Sequence, residues 1–210
     1  MANSDETVPH VIMAPRSPDF SFGVDVHDRY ELDIPKERLE AMSPLKRRLI
    51  KGPAKRVTLT GDDREGAKWR PLPPFFMAGG LTISEPLADL LRGFDLGPAL
   101  IRPVELTALK GADRGLAYYS LVVKPVAPTY PVIIDRCRNL VPEQPGDSQR
   151  FVEFDVGAGD IVLSAEQQGT ADLWYDPGLF SVYFASGALS QALIEAGMAE
   201  ALWLVPCSFD

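Results

Sequence analysis

The sequence predicts an α+β protein: a mixed, largely antiparallel sheet with two strand–helix–strand units that pack their helices on it. Three observations lead there. Short segments of alternating apolar residues recur along the chain, bounded by Gly, Pro and Asp turns. Two longer stretches, "LTISEPLADLLRGFDLGPALIRPVEL" (81–106) and "VYFASGALSQALIEAGMAEALWLVP" (182–206), each read as a strand, a serine-capped helix, a glycine stop and a second strand. Within both helices, leucines fall three and seven residues after the serine, the spacing of one helical face.

Aligning Ser84 with Ser186 brings Leu87 onto Leu189 and Leu91 onto Leu193. Pro103 and Pro206 then interrupt the following strands, nineteen and twenty residues on. Internal duplication accounts for this, and so does the generic pattern of any cap–helix–glycine–strand unit.

The elements follow in order. Residues 1–19, punctuated by Pro9, Pro15 and Pro18, read as a flexible N-terminal arm with no apolar h-region of a secretory signal. Residues 20–75 read as an N-terminal α/β subdomain. Phe20, Phe22, Val24 and Val26 alternate as in a half-buried strand. Leu39, Met42, Leu45 and Leu49 suit a helix that Pro44 would split into two turns, and "VTL" suits a short strand. The proline-rich "WRPLPPFF" marks a linker and the main boundary, with a second α+β domain over 76–210.

In that second domain, "LAYYSLVV", "YPVIIDR" and "FVEFDVG" read as strands. "DIVLS" and "ADLWYD" read as shorter ones. Pro103 predicts an edge position or a bulge in the strand "ALIRPVEL".

Composition narrows the function. The chain has 210 residues, 46% of them hydrophobic and 24% charged, and no run of eighteen apolar residues. That is a globular composition without a transmembrane helix. The net charge of -8 is uneven: residues 1–75 carry a balance of +1 and residues 76–210 one of -9. Such a surface repels nucleic acid and anionic membranes and favours basic partners. The basic run Lys46, Arg47, Arg48, Lys51, Lys55 and Arg56 lacks interleaved aromatics and reads as a solvated face.

Chemistry-bearing motifs are sparse. His10 and His27 are the two histidines, and neither has a partner at zinc-ligand spacing. Cys137 and Cys207 read as free thiols in a reducing, cytoplasmic setting. "GPAK" and "VGAGD" are short glycine turns without the helix of a phosphate loop. No catalytic residue, metal or cofactor is therefore assigned.

Glu153, Asp155, Asp160, Glu166, Asp172 and Asp176 form an acidic stretch with no Lys or Arg from 151 to 176. With Trp174 and Tyr175 in the turn-like "DLWYDPG", it suggests a partner-binding surface: Glu153, Asp155, Asp160, Asp172, Trp174, Tyr175 and Asp176. The same residues also suit a soluble sheet face over an aromatic core. An enzyme or small-ligand site using residues 151–184 is the alternative function.

The segments "GGLTISEPLADLLRGFDLGPALIRPVEL", "AYYSLVV" and "DIVLSAEQQGTADLWYDPGLFSVYFASGALSQALIEAGMAEALWLVPC" resemble the immunity-protein family Imm11, also known as DUF1629. The matching positions are Ser84, Leu87, Pro103, Val104, Tyr118, Tyr119, Asp160, Ile161, Val162, Ser186, Leu189, Leu193, Gly197 and Pro206. The resemblance spans residues 76–207 and departs at Trp174, Ala185 and Gly187. It implies a bacterial cytoplasmic immunity protein of a type VI or other contact-dependent toxin system. Such a protein binds a cognate secreted toxin, here one with a basic surface, and blocks it without catalysis of its own.

Overall fold

In the computed structural model, the two strand–helix–strand units form the centre of the molecule. The structure describes residues 8–13, 23–30, 53–60, 72–107, 115–123, 127–142, 149–180 and 182–210. The helical reading of 35–50, Lys46, Arg47, Arg48 and Lys51 of the basic run, residues 1–7 and 14–19 of the N-terminal arm, and Phe20 and Phe22 of the first expected strand lie outside these residues.

The strands in chain order are β1 (His10–Ile12), β2 (Gly23–Arg29), β3 (Ala54–Thr60), β4 (Phe75–Met77) and β5 (Leu81–Ser84). After helix α1 (Glu85–Leu91) come β6 (Leu100–Thr107), β7 (Tyr118–Val122), β8 (Leu140–Pro142), β9 (Arg150–Val152), β10 (Val162–Leu163), β11 (Leu173–Trp174), β12 (Leu179–Phe180) and β13 (Tyr183–Ala185). Helices α2 (Gly187–Glu195) and α3 (Ala199–Leu202), then β14 (Leu204–Pro206) and β15 (Ser208–Phe209), complete the chain. The class is α+β, dominated by sheet.

The larger sheet has the order β2-β3-β6-β7-β5-β4 and the second the order β11-β13-β1-β14. Both contain the same device. In each, a helix links two strands that lie either side of a third strand antiparallel to both: β7 between β5 and β6, and β1 between β13 and β14. A further antiparallel strand, β4 or β11, flanks the first strand of each unit.

Three expectations are corrected here. Residues 10–12 of the expected flexible arm are the central strand β1, with Val11 and Ile12 buried and hydrogen-bonding neighbours on both sides. The prolines at 9 and 15 bracket this strand without entering it, so they do not prevent pairing. The domain boundary at 75/76 falls inside β4, where Phe75 and Phe76 are both buried, and β3 pairs in parallel with β6 in the same sheet. The segment "YPVIIDR" makes a single bridge, Val132 to Leu163, and a 3-10 turn at Ile134–Arg136 rather than a strand.

Alternation directs the side chains. Leu81 and Ile83 of β5, Ile12 of β1 and Leu173 of β11 face a central core shared with both helices. That core joins Leu87, Ala88 and Leu91 of α1 to Leu189 and Leu193 of α2. The opposite face of the second sheet sends Val11, Trp174, Phe184 and Val205 into another core, closed by residues of β9, β10 and β12. The first sheet sends Phe76, Val104 and Tyr118 into a third.

Capping explains why the second helix is sharply bounded. Ser186 Oγ accepts the Leu189 N–H at 3.2 Å. At the other end Gly197, at φ 71°, lets its own N–H reach the Ile194 carbonyl and the Met198 N–H reach that of Leu193. This is a Schellman stop, and Met198 packs on the central core as that motif requires. In α1 the equivalent Ser84 has the extended cap backbone but no side-chain cap bond. The Glu85 N–H is satisfied by the Ala117 carbonyl instead.

The strand containing Pro103 lies between β3 and β7, but pairing with β3 runs only from Glu105 to Thr107. At Pro103 no residue of β3 is paired, and the Pro103 carbonyl instead accepts the Tyr30 hydroxyl at 2.7 Å, so the missing N–H removes no bond to β3. Among the described residues, no helix is long and apolar enough to cross a membrane.

Candidate functional site

The acidic stretch separates into carboxylates that build turns and carboxylates that face outward. Asp176 is buried. Its Oδ2 accepts the Val132 N–H at 2.9 Å and its Oδ1 the Gly178 N–H at 2.7 Å, closing the turn into β12. Asp160 is also buried and accepts the Asn139 side-chain amide and the Gly157 N–H, each at 2.8 Å. Its other oxygen pairs with the Arg138 guanidinium at 2.8 Å. Asp172 accepts the Ser186 hydroxyl at 2.6 Å and the Asp95 N–H at 3.0 Å, so it ties the loop after α1 to the start of α2.

Trp174 is 0% exposed. Its indole stacks on Phe184, with centroids 5.6 Å apart and planes 13° from parallel, and meets the edge of Tyr130. Its Nε1–H has no acceptor among the described residues. Trp174, Asp160 and Asp176 are therefore corrected from surface contacts to interior groups. The reason is physical: an Asp in a turn can bond backbone N–H groups, and the aromatic at the second position of β11 points to the core face. Asp172 is half-buried and already engaged. Glu153, Asp155 and Tyr175 keep access to solvent, and partial burial raises the Tyr175 hydroxyl pKa above its ordinary value.

Glu153 and Asp155 flank a feature that alternation alone misreads. The segment "FVEFDVG" leaves β9 after Val152. The Glu153 N–H donates to the Asn139 carbonyl at 2.8 Å, and the Val156 N–H returns to the Glu153 carbonyl at 3.3 Å. Phe154 and Asp155 thus occupy the two tip positions of a turn. Phe154 is 51% exposed, and its ring lies 14° from parallel to Trp203, centroids 6.0 Å apart. Trp203 links α3 to β14 in the left-handed region, at φ 48° and ψ 65°. Asp160 sits behind this turn, bonding Gly157 just beyond its end and Asn139 at its base. The turn is consequently held from two sides.

The sequence signal for Phe154 was its place between two acids, "EFD", ahead of glycines. A strand of that kind ends early. Trp203 carried no such signal.

A separate cleft of about 330 Å³ lies at the first turn of α2, bordered by Thr129, Tyr130, Gln167, Thr170 and Asp172. Thr129 donates to the Ala171 carbonyl at 2.6 Å and Gln167 to the Gly169 carbonyl at 2.7 Å, so much of its polar lining serves the loop itself. The Asp172 carboxylate makes this cleft suited to neutral polar or cationic groups. Among the described residues, no group of three or more His, Cys, Asp or Glu side chains is arranged to hold a metal.

Comparison with protein families, with curated proteins and with solved structures finds no match to this chain.

Proposed function

We propose that this chain is a cytoplasmic immunity-type protein that binds a cognate secreted toxin and neutralises it by direct protein–protein contact. The resemblance of residues 76–207 to the Imm11 pattern supports this reading. The observation that carries it in the structure is the Glu153–Asp155 turn. Two carboxylates bracket an exposed aromatic ring on a backbone pinned by internal hydrogen bonds. Rigid presentation lowers the ordering cost of binding, and the local negative charge steers a basic partner toward it.

Co-expression tests the reading. The chain is produced with the protein encoded beside its gene, in cells that this neighbour kills. The reading predicts that the chain restores growth and co-purifies with the neighbour as a complex. Growth arrest that persists with the chain abundant and folded would contradict it.

The cleft beside α2 favours a second reading, a small polar ligand held near Asp172 within the 151–184 stretch. Thermal shift on addition of small cationic and polyol compounds tests it. A midpoint that rises in wild type but not in Thr170→Val supports that reading.

A further inference from the structure

We propose that the cleft at the first turn of α2 binds a neutral polyhydroxylated ligand, a sugar ring or cyclic polyol with adjacent hydroxyl groups. The proposal rests on the small-ligand reading above and names the chemical class that this site takes.

The cleft is preformed. Its volume of about 330 Å³ accommodates one small ring and lies within the range of small-molecule sites. Internal hydrogen bonds fix its walls. The Thr129 hydroxyl donates to the Ala171 carbonyl at 2.6 Å, and the Gln168 N–H donates to the Thr129 carbonyl at 2.9 Å. A Cβ at Gly169 would lie 3.0 Å from the Ala127 carbonyl oxygen, so this loop packs closely on the 127–129 segment. The Ser186 N–H donates to the Asp172 carbonyl at 2.8 Å, which joins the end of the same loop to α2. A site fixed beforehand loses little conformational freedom when a ligand enters.

The hydrogen-bonding capacity left over in the lining selects the ligand. The Thr129 and Ser186 hydroxyls give their protons to Ala171 and Asp172, and the Thr170 hydroxyl is directed at the Asp95 carboxylate at 3.4 Å. Thr129 and Thr170 therefore offer lone pairs. Each Asp172 oxygen accepts one bond, from Ser186 or from the Asp95 N–H, and has room for another. Two donors face these acceptors across the cleft lining. The N–H groups of Gly187 and Ala188, the first two residues of α2, have no acceptor among the described residues, whereas the Leu189 N–H is capped by Ser186.

A hydroxyl donates and accepts through a single atom, so it satisfies a free N–H and the Asp172 carboxylate together. Adjacent hydroxyls on the same ring donate to the remaining lone pairs. Charged groups fit less well. A carboxylate or phosphate would be repelled by Asp172. A cation would meet the positive end of α2, which already compensates the Asp172 charge.

The test is an NMR titration of the full chain that follows the Gly187 and Ala188 amide resonances. A resonance at the site reports binding separately from the general stabilisation that polyols give to folded proteins. Three probes share one ring size: fully hydroxylated myo-inositol, cyclohexanol with a single hydroxyl, and cyclohexylamine with an ammonium group. The proposal predicts a saturable shift of both resonances with myo-inositol, half-complete at about millimolar concentration, and at least about tenfold weaker binding of the other two. Ala188→Pro removes one donor. Pro86 holds the equivalent second position of α1, so a helix of this kind starts normally with proline there. The variant should keep the thermal midpoint and bind myo-inositol several-fold more weakly, as read at Gly187. Thr170→Val keeps the side-chain shape, removes an acceptor and should weaken binding as well.

No saturable shift with myo-inositol, or full myo-inositol binding by a folded Ala188→Pro, overturns the proposal. If that variant does not fold, full binding by Thr170→Val overturns it instead. The two readings fail separately. Saturable binding of cyclohexylamine as tight as that of myo-inositol, or tighter, overturns the polyol assignment and leaves the small-ligand reading intact. Silence of both resonances toward all three probes removes both.

Discussion

Pro103 and Pro206 end the same cross-strand row over four corresponding strands, β4-β5-β7-β6 of the six-stranded sheet and β11-β13-β1-β14 of the four-stranded one. In the first, the row runs Phe75, Ile83, Tyr119, Pro103; in the second it runs Leu173, Ala185, His10, Pro206. Each row crosses the position just before the serine that opens the helix. A generic cap–helix–glycine unit requires leucines on one face, but it does not require matched register across four strands. The correspondence also defines the role of β1. It occupies in the second sheet the slot that β7 occupies in the first, although it comes from the opposite end of the chain.

The first prediction follows from that slot. Val11 is buried between β13 and β14, facing Trp174 and Phe184. Val11→Asp should cost several kcal/mol, because an unpaired carboxylate would enter an apolar core. Urea unfolding measures it. Deleting residues 1–13 should be at least as damaging. A near-normal midpoint for either variant would mean that the sheet closes without β1.

The paired helices give the second. Leu193→Ala removes a side chain packed among Leu189, Leu87 and Leu91 and should cost about 2–5 kcal/mol. The exposed Ile194→Ala, one residue on, should cost well under that amount. Equal losses at both positions would show that the helix face is misassigned.

The two serines give the third. Ser186→Ala removes the Leu189 N–H acceptor and the Asp172 partner together, and should cost about 1–2 kcal/mol. Asp172→Asn should lose less, since the amide oxygen can still accept from one of its two donors. Thermal melts of the two variants give the comparison, and a Ser186→Ala protein as stable as wild type contradicts the capping account.

Much of this scaffold was legible because its signals are local. Serine before an apolar helical face, glycine after it, and alternation in "LTIS" and "YYSLV" act within a few residues. What was not legible depends on distance. Nothing near residue 10 announces that its partners lie at 183–206. Asp160 and Asp176, which close turns inside the protein, have the same residue type and spacing as Asp155, which faces solvent. Trp174 and Phe154 are both aromatics beside acids, yet the pleat sends one to the core while a turn sends the other outward. Burial is a property of the assembled sheets, so residue type and spacing alone group these residues into one site.

The fourth prediction concerns pH. Burial raises the Cys207 thiol well above its ordinary value of 9.0, with the Cys137 thiol adding to the effect. In the unfolded chain Cys207 ionises as pH passes that value, while the folded protein keeps the proton. The unfolded state therefore binds fewer protons there, and stability, complete below about pH 9, falls as pH rises beyond it. Half-buried Tyr183 acts in the same sense from its ordinary value of 10.0. Cys207→Ala should lower stability at neutral pH but flatten the first part of the alkaline decline, as read from urea midpoints between about pH 8 and 10. Parallel declines in the two proteins would remove Cys207 from the account.

The central claim, that the acidic turn captures a basic partner, is tested most directly by association kinetics, at rising salt, with the protein encoded beside the gene, the proposed toxin. Wild type is compared with the double variant Glu153→Gln, Asp155→Asn, which alters only the outward-facing carboxylates and leaves Asp160, Asp172 and Asp176 in their turns. Screening over about 10 Å at 0.1 M salt weakens steering between exposed charges. The account predicts slower association for the double variant at low salt, a flatter salt dependence, and convergence of the two proteins at high salt. Identical association rates for both proteins at every salt concentration would contradict it.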